Sequence, residues 1–271
     1  MMQVIRETLT TPLSKDAYFD AYLMDQYEDL EPDRVRPAAV IAPGGGYAFV
    51  SPREGEPVAM ALLAKGCQAF VLHYSVGPEH RFPTALLELA EAVRTIRQHA
   101  AEWHVNPEAI IGVGFSAGGH LVASLGTLIA QTVLADYQDD EIRLNGMMLG
   151  YPVITSGEFK EPGSFDQLIG PDASPALRLQ VSLERQVSAQ TPPTFLWTTM
   201  TDETVPVENS IRFAEALHEH DVACELHIFP TGRHGLSLAT RETWSQRHDY
   251  GKEPVVAQWL PLFATWLQQF M

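Results

Sequence analysis

Short apolar runs alternate with amphipathic stretches along most of this sequence, and no other feature limits the fold as strongly. The apolar runs have the length of strands, and most are followed by apolar residues at helical spacing. Repeated strand and helix units are typical of a parallel sheet with helices on both faces. The sequence therefore predicts the α/β class, with a mostly parallel central sheet of about eight strands.

The predicted elements can be placed by residue number. Strands are predicted at residues 3–7, 19–23, 37–42, 69–74, 109–114, 145–151, 194–200 and 223–229. Helices are predicted at residues 55–65, 84–104, 117–133, 207–220 and 254–270. The first two strands alternate apolar and polar residues, which favours an antiparallel pair. Residues 155–190, after the sixth strand, contain no clear strand and predict a small insertion or lid within a single domain of residues 1–271.

Charge and cysteine content exclude several classes of partner. The chain carries 18 Lys and Arg against 34 Asp and Glu, a formal charge of −16, which disfavours nucleic acids and anionic membranes. Cys67 and Cys224 have no metal-ligand spacing, and no His cluster is present, so no metal site is expected. The N-terminus has no signal-peptide pattern and no window reaches membrane-spanning length, so a cytoplasmic protein is expected. The oligomeric state is left open, and a homo-oligomer is one option.

The segment Gly114-Phe115-Ser116-Ala117-Gly118 lies between an apolar strand and a helical run. A GxSxG segment in this context predicts a sharp turn that exposes the serine hydroxyl at the end of the sheet. Ser116 is therefore the candidate nucleophile.

A serine hydroxyl needs a neighbouring base, and the base needs a group that fixes its tautomer. His234 follows the last predicted strand in a glycine-flanked loop, and Asp202 follows the strand before it. These positions make His234 the candidate base and Asp202 the candidate orienting acid. The alternatives are the acids Glu203 and Asp221 and the histidines His218, His220, His227 and His248.

Three glycines in the segment Pro43-Gly44-Gly45-Gly46-Tyr47 follow an early strand. Backbone N–H groups there could approach an oxyanion without hindrance from side chains, together with the amide of Ala117. Gly45 and Gly46 are the candidate donors, with Gly44 as an alternative, and Tyr47 is a candidate substrate-binding residue. A phosphate-binding loop is disfavoured because neither GxxxxGK[ST] nor GxGxxG is present.

Five segments together resemble the α/β-hydrolase superfamily, in its esterase and lipase-like branch of bacterial acetyl esterases, acetylxylan esterases and feruloyl-esterase-like proteins. They are GFSAG, PGGGY with the following SPREGEPVA, GPEHRFPTAL, DETVPVENS and GRHGLSLA. The resemblance covers most of the chain. One departure is Pro43, which stands where HGGG lipases carry histidine.

The resemblance implies the α/β-hydrolase fold and a cofactor-independent serine esterase for small esters, above all acetyl esters, including acetylated sugars or xylooligosaccharides. It implies Ser116, His234 and Asp202 as the triad. A peptidase or arylformamidase, an acyltransferase, and a non-catalytic ligand-binding protein on the same fold are the alternative functions.

Overall fold

The computed structural model describes residues 2–271, so Met1 of the predicted domain lies outside the described residues. Eight strands form one sheet in the order β1-β2-β4-β3-β5-β6-β7-β8. The strands are β1 (Gln3–Thr8), β2 (Tyr18–Leu23), β3 (Arg36–Ala42), β4 (Gln68–His73), β5 (Val105–Phe115), β6 (Gly146–Gly150), β7 (Thr194–Thr199) and β8 (Cys224–Phe229). The predicted α/β class and strand number are confirmed.

Strand β2 is antiparallel to both of its neighbours, β1 and β4, and all other pairings are parallel. The predicted antiparallel pairing of the first two strands is confirmed, with Gln3 opposite Leu23 and Thr8 opposite Tyr18. The six parallel strands point the same way, so the loops after them gather at one edge of the sheet.

The central strands are buried on both faces, which explains why they are apolar without alternation. In β3, Ala38, Val40 and Ala42 pack into one hydrophobic cluster, and Ala39 and Ile41 pack into a second cluster on the opposite face. Helices cover both clusters. They are α1 (Glu56–Leu63), α2 (Thr84–Gln98), α3 (Ala117–Leu128), α4 (Asp139–Ile142), α5 (Pro162–Ile169), α6 (Pro175–Gln180), α7 (Glu208–Glu219) and α8 (Trp259–Trp266).

All five predicted helices are shorter in the structure, three of them by five residues or more. α2 ends at Gln98 rather than 104, and residues 99–104 form turns, with a positive φ of 54° at His104, before β5 begins at Val105. α3 ends at Leu128 rather than 133. The predicted helix 254–270 is an α-helix only at α8, with 3₁₀ turns on either side. Pro261 fits α8 because it lies in the first turn, where its missing N–H has no helical partner to lose.

Residues 155–190 run between β6 and β7 and contain α5, α6 and a 3₁₀ turn at Leu183–Arg185. We call this segment the cover. Asn209 at the start of α7 is fully buried and anchors the base of the cover, because its Oδ1 accepts from the amides of Ile154 and Thr155 and its Nδ2 donates to the Phe159 carbonyl. No helix within residues 2–271 combines the length and hydrophobicity needed to cross a bilayer.

Candidate active site

Ser116 lies on a tight turn between β5 and α3. Its backbone has φ 53° and ψ −120°, a conformation that residues with a side chain rarely adopt. The turn is possible because a Cβ on Gly114 would come within 2.4 Å of the Gly118 carbonyl oxygen, and a Cβ on Gly118 within 2.0 Å of the Ala42 carbonyl oxygen. Glycines at these two positions therefore let β3, β5 and α3 approach closely, and the Ser116 side chain remains at the end of the sheet.

Hydrogen bonds join the three predicted triad residues in one chain. The Ser116 hydroxyl lies 2.8 Å from His234 Nε2, and His234 Nδ1 lies 2.7 Å from Asp202 Oδ2. The second carboxylate oxygen of Asp202 accepts from the amides of Thr204 and Val205, each at 2.9 Å. Because the carboxylate accepts from Nδ1–H, Nε2 is left to accept the Ser116 proton.

None of the alternative acids and bases is hydrogen-bonded to Ser116 or His234 among the described residues. His218, His220 and Asp221 lie at the end of α7, and His227 in β8 contacts Glu225. Glu203 and His248 line a cavity beside His234, but the hydrogen-bonded chain from Ser116 runs through His234 to Asp202.

The glycine loop after β3 lies directly against the Ser116 turn. The N–H of Gly44 is occupied, because it donates to Glu54 Oε2 at 2.8 Å. Within residues 2–271, the N–H groups of Gly45 and Gly46 donate no hydrogen bond, and both residues line the cavity that contains Ser116. Ala117 is the first residue of α3, so its N–H has no partner inside the helix.

Glu54 was not among the predicted site residues, although it belongs to the SPREGEPVA segment. It is 4% exposed, and its two carboxylate oxygens hold different parts of the site. Oε2 accepts from Gly44, and Oε1 accepts from the Tyr151 hydroxyl at 2.7 Å. The Tyr151 oxygen also accepts from the Ser237 amide at 2.8 Å, and the Tyr151 ring lies 5.0 Å from the His234 ring. One buried carboxylate thus links the glycine loop, the end of β6 and the histidine loop.

The structure corrects the prediction for Tyr47. Its backbone has a positive φ of 56°, which turns the side chain into the core, where it is 4% exposed and absent from the walls of the Ser116 cavity. The Tyr47 hydroxyl lies 2.9 Å from His120 Nδ1, and His120 Nε2 lies 2.9 Å from the Val181 carbonyl oxygen. Because that carbonyl can only accept, Nε2 carries the proton and Tyr47 donates to Nδ1. Burial lowers the pKa of His120 to about 4, so the ring is neutral at pH 7.

The cavity above Ser116 has a volume of about 490 Å³, within the range of small-molecule sites. Its floor contains Ser116 and the glycine loop, and its walls include Phe49, Tyr250 and, from the cover, Glu161. Burial is the main cause that raises the pKa of Tyr250 above its ordinary value. Among the described residues, no group of three or more His, Cys, Asp or Glu side chains is arranged to hold a metal ion.

Known proteins with similar sequences are esterases and xylan-degrading enzymes. The chain is 37% identical over 220 residues to endo-1,4-β-xylanase B of Butyrivibrio fibrisolvens, covering 79% of this chain and 34% of that protein. It is 32% identical over 218 residues to the acetylxylan esterase of Xylanibacter ruminicola, covering 78% of this chain and 43% of that protein. This chain therefore spans less than half the length of these two relatives.

Solved structures with the same fold include two esterases. The acetyl ester-xyloside bifunctional hydrolase of Caldicellulosiruptor lactoaceticus has 37% identity and a TM-score of 0.82, covering 94% of this chain and 88% of that one. The carboxylesterase Cest-2923 of Lactobacillus plantarum has 33% identity and a TM-score of 0.84, covering 99% and 98%. A family model for the alpha/beta hydrolase fold matches residues 40–238. On sequence and on structure, this chain belongs to the alpha/beta hydrolase family.

Proposed function

We propose that this protein is a serine carboxylic ester hydrolase with Ser116 as nucleophile, His234 as general base and Asp202 as the group that orients the histidine. The observation that carries the proposal is the unbroken hydrogen-bonded chain of 2.8 Å and 2.7 Å from the Ser116 hydroxyl to the Asp202 carboxylate. A serine and histidine at this distance, with the histidine tautomer fixed by a buried acid, form the arrangement that activates a hydroxyl at neutral pH.

In the proposed reaction, Ser116 Oγ attacks the ester carbonyl carbon while its proton moves to His234 Nε2. The tetrahedral intermediate then collapses, the bond from carbon to the alcohol oxygen breaks, and His234 returns the proton to the leaving alcohol. Water repeats the sequence on the acyl-enzyme, which releases the carboxylic acid and regenerates Ser116.

The amides of Gly45, Gly46 and Ala117 are the proposed oxyanion donors. Their free N–H groups beside Ser116 support this role, and the Gly44 amide is excluded because it is committed to Glu54. An oxyanion donor contributes on the order of 3 kcal/mol to lowering the barrier.

The proposed substrates are short-chain esters, with acetyl esters of sugars or xylooligosaccharides as the first class to test. This choice is supported by the relatives named acetylxylan esterase and acetyl ester-xyloside bifunctional hydrolase, at 32% and 37% identity.

Hydrolysis of p-nitrophenyl esters from acetate to octanoate by the wild type and by Ser116→Ala tests the proposal. We expect turnover to be highest for acetate and to fall by at least about 10⁴-fold in Ser116→Ala, as when a catalytic serine is removed from such a triad. The matched control is Ser14→Ala, a serine in the loop between β1 and β2 that lines neither cavity near Ser116, and it should keep full activity.

Labelling with a fluorophosphonate probe gives an independent readout. The wild type should react covalently at Ser116 and the Ser116→Ala variant should not. Turnover that persists in Ser116→Ala would overturn the assignment of the nucleophile. Probe labelling without turnover of any ester would overturn the ester specificity and favour an amide substrate.

A further inference from the structure

A second cavity, of about 560 Å³, adjoins the cavity above Ser116. The two cavities share four wall residues, namely Arg53, Thr204, His234 and Tyr250. They are therefore neighbouring compartments of one site, and a ligand can extend from one into the other.

The position of the second cavity indicates which part of the ester it would bind. It borders His234 but neither Ser116 nor the glycine loop. In the proposed mechanism, His234 gives its proton to the leaving oxygen, so the alcohol part of the ester must extend from the histidine. The second cavity thus lies where the alcohol would be bound, and the proposed glycine donors Gly45 and Gly46 border only the first.

Basic groups dominate the walls of the second cavity. The guanidinium carbons of Arg53 and Arg233 lie 4.8 Å and 5.2 Å from the centre of the Tyr250 ring. His248 also lines the cavity, and Glu203 is its one acidic wall residue in the described chain. Glu203 is exposed and does not form an ion pair with either arginine.

Neither arginine has an acidic partner within residues 2–271, so both guanidinium charges are left uncompensated by a nearby carboxylate. Arg53 Nε donates to the Thr243 carbonyl oxygen at 2.7 Å, which fixes the side chain. Two guanidinium groups without an acidic partner in the wall of one cavity, one of them fixed, are the chemistry that binds a carboxylate.

We propose that the second cavity binds a carboxylate on the alcohol part of the ester, so that the preferred substrates are esters of hydroxy acids, including sugar acids. This inference rests on the proposed function and deepens it. Arg53 and Arg233 are the proposed carboxylate ligands, and the Tyr250 ring contacts both guanidinium groups.

Two matched substrate pairs test the proposal. The first is 4-acetoxybenzoate and its methyl ester, and the second is mono-O-acetyl-glucuronate and mono-O-acetyl-glucose. The quantity to measure is the ratio of kcat/KM for the anionic over the neutral member of each pair. When this ratio is compared among variants, differences in intrinsic reactivity between the two esters cancel. The two pairs distinguish aromatic hydroxy acids from sugar acids.

We expect Arg233→Gln to lower the ratio about tenfold, Arg233→Lys to lower it less, and Glu203→Gln to raise it, because Glu203 repels the carboxylate. Raising the salt concentration should lower the wild-type ratio, since a partly exposed ion pair is screened. The matched control is Arg143→Gln, an exposed arginine that precedes β6 at the opposite edge of the sheet, and it should leave the ratio unchanged.

The outcomes separate this inference from the proposed function. A ratio that is the same in wild type, Arg233→Gln and Glu203→Gln for both pairs would overturn the carboxylate subsite while neutral esters are still hydrolysed. Absence of turnover on every neutral and anionic ester would instead overturn the ester hydrolase function. A lower ratio in Arg233→Gln for one pair only would support the subsite and identify which hydroxy acid it fits.

Discussion

The floor and the cover of the Ser116 cavity are stabilised in different ways. The floor consists of Gly44–Gly46, Ser116 and Glu54. The buried Glu54 carboxylate accepts from Gly44 and Tyr151, and the Tyr151 oxygen in turn accepts from Ser237. In the cover, α5 packs Phe165, Leu168 and Ile169 into the core, whereas α6 has no buried residue and depends on its local Ser174 cap. This contrast suggests that floor residues determine the rate of the chemical step, whereas the cover determines which substrates fit.

His120 is the buried residue that joins these two regions. It accepts from Tyr47, which follows the floor glycines, and donates to the Val181 carbonyl of the cover. The floor and cover are therefore not independent, and the strength of this link can be changed with pH.

The largest effect is expected on stability when His120 is replaced. The pKa of the buried ring is about 4, below its ordinary value of 6.5, so between these pH values the unfolded chain binds a proton that the native protein does not. The contribution of the neutral ring to the free energy of unfolding is complete above pH 6.5. It decreases by about 3 kcal/mol as the pH falls to 4. The free energy of unfolding of wild type minus that of His120→Gln should fall by this amount between pH 7 and pH 4.

Urea denaturation at the two pH values measures this difference, and the exposed His218→Gln variant in α7 is the control. A difference between wild type and His120→Gln that stays constant with pH would show that protonation of His120 does not break the link between floor and cover.

The next largest effect is expected at Glu54. Glu54→Gln keeps the shape of the side chain but has one acceptor oxygen, so it cannot accept from both Gly44 and Tyr151. The glycine loop should then lose its position against Ser116. We expect kcat to fall about 100-fold, which is the decrease seen when one oxyanion donor is removed.

Steady-state kinetics with p-nitrophenyl acetate separate this positioning role from a general loss of structure. KM should change by less than about threefold, because the cover and cavity walls are unaffected. Glu56→Gln, an exposed glutamate two residues away at the start of α1, should behave as wild type. A Glu54→Gln variant with wild-type kcat would mean that the floor does not depend on the buried carboxylate.

The smallest effect is expected in the cover. The Ser174 hydroxyl accepts from the Leu177 amide at 3.2 Å and caps α6. Ser174→Ala should weaken α6 locally by about 1 kcal/mol, with little change in global stability, because α6 has no fully buried residue. Hydrogen exchange should be faster in the α6 amides alone. Equal loss of protection in α3 would contradict the distinction between a fixed floor and a locally stabilised cover.

Much of the fold and the candidate triad could be predicted from the sequence because their signals are local. The Gly114–Gly118 turn needs small residues at fixed spacing, and Asp202 and His234 each follow an apolar strand. The predicted helix at residues 254–270 was too long because apolar periodicity does not distinguish an α-helix from adjoining 3₁₀ turns.

Glu54 and Tyr47 show what local patterns could not reveal. Glu54 has no local signal that marks it as part of the site, because its partner Tyr151 is 97 positions away. Tyr47 follows the glycines, which predicts a place near the substrate, but its hydroxyl contacts His120, 73 positions away.

The sequence by itself determined the order of strands and helices, the serine turn and the loops that carry the acid and the base, because backbone propensity and burial act over neighbouring residues. Only the tertiary structure decided which glycine amides remain free, which side chains line the cavity and which arginines lack an acidic partner. Those properties depend on hydrogen bonds and charges between segments that meet only after the parallel strands bring their carboxyl ends to one edge of the sheet.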